Sequence, residues 1–66
     1  MYRITIFKEV LSGALAGLTV TDSYTVSPEF LESKYNAALA RMGGKVHKMI
    51  MTGAKYQIVK VEIERI

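Results

Sequence analysis

Residues 27–44 read SPEFLESKYNAALARMGG, and this stretch decides the fold. Pro28 at the first helical position needs no amide hydrogen, and Ser27 before it predicts a side-chain cap for the first turn. Apolar residues then recur every three or four positions, at Leu31, Tyr35, Ala38, Leu39 and Met42. This spacing predicts an amphipathic helix of about four turns, and Gly43-Gly44 predicts its end. Because so short a helix is marginal alone, it needs a sheet to cover its apolar face.

Two alternating stretches precede the helix and two follow it. Residues 2–11 and 18–26 alternate apolar with polar side chains, and the glycines of residues 12–17 (SGALAG) break the pattern between them. We therefore predict a first hairpin. Residues 45–52 and 56–66 are also strand-like, and Gly53-Ala54 between them predicts a two-residue turn. In the last strand, we expect Val59, Val61 and Ile63 to share one face.

The order ββαββ predicts an α+β fold, in which one helix packs on one face of a four-stranded antiparallel sheet within a single domain, residues 1–66. The strand order remains open. The other sheet face is expected to be open, carrying Arg3, Thr5, Phe7, Thr19, Thr21, Lys60, Glu62 and part of the Met49/Met51 pair. We expect a homodimer, because a second copy could cover this face or extend the sheet at an edge.

The composition argues against a disulfide-rich protein and against a membrane protein. The 66 residues include no cysteine, so neither a disulfide framework nor a thiolate metal site is expected. No stretch reaches the roughly 20 apolar residues of a membrane span, and the first residues do not resemble a signal peptide. We expect a soluble cytoplasmic protein that has no membrane partner.

The residues offer little for catalysis. His47 is the single histidine and Asp22 the single aspartate, too few for a metal site or a catalytic constellation. Glu62 and Glu64 share a strand face, but Lys60 beside them indicates a solvated surface. Gly13 and Gly17 lack the lysine and the helix that a phosphate-binding loop requires. We therefore expect no enzymatic activity, no cofactor and no metal.

The charge distribution points to nucleic acid. The net charge is +3, and all of the excess follows the helix, because charges cancel in residues 1–26 and again in 27–42. A basic sheet with an aromatic side chain is typical of single-strand binders. We predict single-stranded nucleic-acid binding in which Tyr56 stacks on bases and the phosphates contact Lys45, Lys48, Lys55 and Lys60. The alternative interpretation is that lysines on edge strands prevent aggregation.

A second hypothesis is protein interaction. Hydrophobic residues stand where exposed positions are expected, at Ala14, Leu15, Ala16, Met49 and Met51. Contiguous exposed hydrophobes mark interfaces. A protein partner would contact this loop and the open sheet face. Self-association of the chain would explain the same residues.

The first hairpin carries a resemblance. Residues 5–21 combine a strand, Ser12-Gly13, a short apolar link, Gly17-Leu18-Thr19 and a threonine-rich second strand. This arrangement resembles the opening of small uncharacterised open reading frames of bacteriophages, particularly of single-stranded DNA phages. The resemblance implies a phage accessory protein acting in the bacterial cytoplasm, on viral nucleic acid or on a host component. In the second case it implies an inhibitor of a host protein that acts through the apolar loop and the open sheet face. It transfers no functional residues.

Overall fold

The computed structural model describes every residue, 1–66. Its elements follow the order ββαββ: β1 (Tyr2–Val10), β2 (Thr19–Val26), a 3₁₀ turn (Pro28–Phe30), α1 (Leu31–Ala40), β3 (His47–Lys48) and β4 (Lys55–Arg65). The strands form one four-stranded antiparallel sheet, so the predicted α+β fold is confirmed. None of the helical segments is long and apolar enough to cross a lipid bilayer.

The sheet order is β2-β1-β4-β3, which places the first and last strands of the chain side by side at its centre. β1 pairs along its length with β2 on one side and with β4 on the other. β3 is only two residues long and pairs with Lys55 and Tyr56 alone. Most of the outer edge of β4 therefore has no strand beside it.

The core lies between α1 and the two central strands. Its buried cluster comprises Ile4, Ile6, Val26, Ala38, Tyr56 and Ile58. Leu31 and Tyr35 of the helix and Met42 just after it pack against this cluster, as the apolar spacing predicted. Leu39 was wrongly predicted to be buried and is 39% exposed. At 100° per residue, it lies about 80° around the helix from Leu31, at the border of the apolar face.

The helix begins differently from the prediction, and it ends earlier, at Ala40 with Arg41 as its C-cap, before Gly43 and Gly44. Ser27 makes no side-chain cap, so that prediction is wrong. Its carbonyl oxygen instead accepts a hydrogen bond of 3.0 Å from the Phe30 amide, because a 3₁₀ turn precedes α1. Gly43 and Gly44 have φ values of +87° and +81°, which other residues rarely adopt. They redirect the chain toward β3.

A β-bulge changes the faces of β4. Phe7 pairs with Lys60, but the next residue, Lys8, pairs with Ile58, so Val59 is the extra residue. Ile58 is consequently buried, whereas Val59 is 46% exposed. The prediction that Val59 shares a face with Val61 and Ile63 is therefore wrong. Simple alternation fails because one residue has no partner on β1.

The second hairpin has a longer connection than predicted. β3 ends at Lys48, and residues 50–53 form a loop closed by a 2.8 Å hydrogen bond from the Met49 amide to the Ala54 carbonyl oxygen. The Gly53 amide also donates to the Met49 carbonyl oxygen, at 2.9 Å. The predicted two-residue turn is thus wrong. Ile50 and Met51, at the tip of the loop, are 100% and 94% exposed.

The predicted open face carries mainly polar side chains. The strand register places Arg3, Thr5, Phe7, Thr19, Thr21, Lys60 and Glu62 on it, as predicted. Thr5 and Ser23 share a hydrogen bond of 3.0 Å between their hydroxyl groups, and Arg3 donates to Glu64 at 2.9 Å. Neither methionine of the predicted pair belongs to this face. Met49 packs against the core, and Met51 lies in the hairpin loop.

Candidate nucleic-acid interface

Tyr56 is the centre of the predicted binding hairpin, but it lies in the core. Its position on β4 faces Val10 of β1 and His47 of β3, and the residue is only 5% exposed. The His47 ring stacks against it, with a 5.4 Å centroid distance and planes 28° apart. The Lys8 ammonium lies 4.8 Å from the ring centroid. Since the residue is almost fully buried, the predicted stacking role of Tyr56 is wrong.

The end of α1 is tied to the same cluster. The Arg41 guanidinium donates to the Tyr56 hydroxyl at 2.7 Å. Lys45 donates to the Ala40 carbonyl oxygen at 2.7 Å, and His47 Nε2 lies 2.9 Å from the Arg41 carbonyl oxygen. A carbonyl oxygen only accepts, so Nε2 is the donor. Lys45 and His47 therefore satisfy helix carbonyls at the negative end of the dipole, which is a structural role.

A cleft of about 410 Å³ opens between the helix end and the second hairpin. Its lining comprises Lys8, Arg41, Lys48, Met49, Ile50, Met51, Thr52 and Tyr56. The Lys8 side chain is only 15% exposed and pairs with Asp22. Arg41 and Lys48 form no ion pair. The cleft therefore combines cationic side chains with the apolar tip of the hairpin.

Lys48 and Lys55 lie directly opposite each other on β3 and β4. Both residues are exposed, and neither is ion-paired with a carboxylate. Like charges at directly opposed positions destabilise a strand pair. This arrangement concentrates positive charge beside the cleft, without an internal counterion.

We call the four cationic residues Lys8, Arg41, Lys48 and Lys55 the basic end of the molecule. The acidic side chains lie mostly elsewhere. Glu29 and Glu32 belong to the first turns of the helical segment, and Glu62 and Glu64 to the distal half of β4. Asp22 is the partner of Lys8, and Glu9 lies opposite Gln57 on the open face. Four of the six acidic residues therefore lie away from the basic end.

The remaining predicted contact, Lys60, is separate from the basic end. It lies opposite Phe7 on the open face, about 15 Å along β4 from Lys55. Its ammonium is 2.7 Å from a Glu62 carboxylate oxygen and 5.3 Å from the Phe7 ring centroid. Of the predicted phosphate contacts, the structure thus brings Lys48 and Lys55 together, engages Lys45 with the helix end and leaves Lys60 apart.

Two residues of the basic end were absent from the predicted site. Arg41 is the C-cap residue of α1, and Lys8 belongs to the first strand. The sequence does contain a signal for Lys8, because it follows Ile4 and Ile6 on the buried alternation of β1 and precedes Val10 there. A lysine at an inward position indicates either a buried ion pair or a binding site.

The residues predicted for a protein interface divide between two adjoining clefts. A second cleft of about 320 Å³ lies between the β1–β2 loop and the hairpin loop, and it brings together Ala14, Leu15 and Met49. Ala16 is exposed but does not line it. Met51 lines the cleft of the basic end instead. Met49 is half-buried and borders both clefts.

Comparisons of this chain with protein-family models, with curated proteins and with solved structures find no match.

Proposed function

We propose that this protein binds single-stranded nucleic acid through its basic end. The observation that carries the proposal is the direct opposition of Lys48 and Lys55, neither of which is ion-paired with a carboxylate. A row of phosphates would neutralise this pair, and the release of counterions from the nucleic acid would favour binding.

Protection of a sheet edge explains only part of the basic end. Lysines on the short edge strand β3 hinder strand addition by another chain. Lys8, however, lies on the central strand β1, and Arg41 follows the helix, so neither guards an edge. Both line the same cleft as Lys48. Their convergence supports an anionic ligand that reaches across the cleft from helix end to hairpin.

The apolar tip of the hairpin favours a single strand over a duplex. Ile50 and Met51 are almost fully exposed and line the cleft beside Arg41 and Lys48. The bases of a single strand can turn away from the backbone and contact apolar side chains, whereas the bases of a duplex are stacked and paired. In this arrangement the phosphates lie on the cations while the bases contact the hairpin tip.

The test is fluorescence anisotropy of labelled single-stranded and duplex oligonucleotides at several salt concentrations. We expect tighter binding of the single strand and a steep loss of affinity with salt. The variant K48E/K55E should weaken binding by at least about tenfold. Its control is K34E/R65E, which makes the same change in net charge at exposed residues away from the basic end.

The results separate a site from a general charge effect. Equal weakening by both double variants would contradict a defined basic end, because only the net charge would then matter. Absence of binding by the unmodified protein at low salt would overturn the proposed function. Circular dichroism of each variant verifies that the fold is retained.

A second candidate function is binding of a protein partner, which would include a host protein if the phage resemblance holds. The observation that favours it is the cleft lined by Ala14, Leu15 and Met49, beside the exposed hairpin tip. Substitution L15S would weaken such an interaction and spare oligonucleotide binding, whereas K48E/K55E would have the reverse effect. To distinguish the candidates, the unmodified protein, L15S and K48E/K55E are each immobilised and incubated with bacterial lysate. The proteins that each one retains are then compared.

A further inference from the structure

We infer that the outer edge of β4 is a self-association surface, to which a second copy of this chain adds its own β4 in antiparallel orientation. The two sheets would become one continuous sheet of eight strands. The inference is independent of the proposed nucleic-acid binding, because the edge concerned lies beyond the basic end.

The edge has free backbone groups. β3 pairs with Lys55 and Tyr56 only, and no backbone hydrogen bond outside the β1–β4 ladder involves residues 59–65. Every second residue of this segment therefore presents an unpaired amide and carbonyl group. An unpaired strand edge is a ready template for another strand.

The side chains along this edge are suited to pairing. Val59 and Ile63 are 46% and 40% exposed, and Val61 is half-buried. Lys60 and Glu62 carry opposite charges on the open face. The other sheet edge, β2, offers no such complementarity, because its one charged residue, Asp22, already pairs with Lys8.

Charge selects one register for the two copies. With Val61 opposite Val61 of the partner subunit, Lys60 lies opposite the partner's Glu62, and symmetry repeats this pair. One neighbouring symmetric register places Lys60 opposite the partner's Lys60. The other retains two attractive pairs, between Lys60 and the partner's Glu64, but places Glu62 opposite the partner's Glu62. Directly opposed like charges disfavour both alternatives.

This register also sets the positions of the two basic ends. Lys55 lies at the start of β4, so antiparallel pairing about Val61 places the two copies of Lys55 at opposite ends of the joined strands. At the usual rise per residue they are about 40 Å apart.

The experiment uses two variants of the full chain, Lys60→Glu and Glu62→Lys, alone and mixed, in sedimentation velocity. The unmodified protein should sediment as a dimer. In a dimer of either variant, residue 60 of each chain lies opposite a residue 62 of the same charge. The dissociation constant of the dimer should therefore rise by at least about tenfold. An equimolar mixture should recover the dimer, since one chain then carries two carboxylates and the other two ammonium groups at these positions.

Recovery of the dimer in the mixture would show that the variants act between chains and not through a change within one chain. Both variants lose the internal Lys60–Glu62 ion pair, and mixing does not restore it. The two side chains are 60% and 49% exposed, so both variants should fold, which circular dichroism verifies. A monomeric unmodified protein at high concentration would overturn the inference. Dimers that survive in both variants, or a mixture that stays monomeric, would also overturn it.

Discussion

Arg41 donates a 2.7 Å hydrogen bond to the hydroxyl of Tyr56, and this bond ties the end of the helix to the core face of β4. This bond holds the Arg41 guanidinium and the Tyr56 ring in place. The tyrosine ring is covered by His47 and approached by Lys8, so it forms the floor of the cleft. The guanidinium is held at the border of that cleft, close to Lys48 in the basic end.

The first prediction separates structure from binding at Tyr56. Tyr56→Phe should lower the free energy of unfolding by about 1 kcal/mol, because Arg41 loses its acceptor while the ring remains. Tyr56→Ala should cost about 3–5 kcal/mol, enough to unfold so small a domain. Urea denaturation followed by circular dichroism measures both. A stable Tyr56→Phe protein that no longer bound oligonucleotides would instead assign the hydroxyl to the ligand.

The bulge in β4 predicts opposite behaviour for two neighbouring residues. Ile58→Ala should cost about 2–4 kcal/mol, because Ile58 is buried at 4% exposure. Val59→Ala should cost less than about 1 kcal/mol, because the extra residue of the bulge is exposed. Chemical denaturation of the two variants provides the comparison. Equal losses, or a larger loss at Val59, would contradict the observed register.

Lys8 offers a test that removes charge and retains the apolar stem. Lys8→Met should leave stability within about 1 kcal/mol, since Met retains the buried apolar stem and the remaining Asp22 carboxylate, which is 62% exposed, stays hydrated. The slope of log affinity against log salt should decrease by about one, the value for one phosphate contact. Lys34→Met is the matched control on the exposed helix face. An unchanged slope for Lys8→Met would exclude Lys8 from the binding surface.

The hairpin tip should contribute to affinity without contributing charge. The double variant I50S/M51S should leave the free energy of unfolding within about 0.5 kcal/mol, because both side chains are exposed. Single-strand affinity should fall about fivefold while the salt slope stays unchanged, since apolar contacts with bases release no counterions. Anisotropy titrations at several salt concentrations measure both quantities. Unaltered affinity would restrict the interface to phosphate contacts.

Local patterns were sufficient for the order of the elements, for the first hairpin and for the start of the helical segment. Pro28, the apolar spacing from Leu31 to Met42, and Gly43 each act through neighbours within one or two turns, so a single stretch of sequence contains the information. Alternation likewise identified β1, β2 and the distal half of β4. The excess of positive charge after the helix was also readable, and it identified Lys48 and Lys55 but not Lys8.

Only the tertiary structure decided which side chains near the site are buried and which are exposed. Tyr56 is buried because β4 lies between β1 and β3, and the sequence does not state that strand order. Val59 points outward because β4 gains a residue relative to β1, a mismatch that exists only when the two strands pair. Lys8 joins Arg41 because the sheet brings β1 beneath the helix end. Strand pairing between distant segments decides which side chains meet, and no local pattern records it.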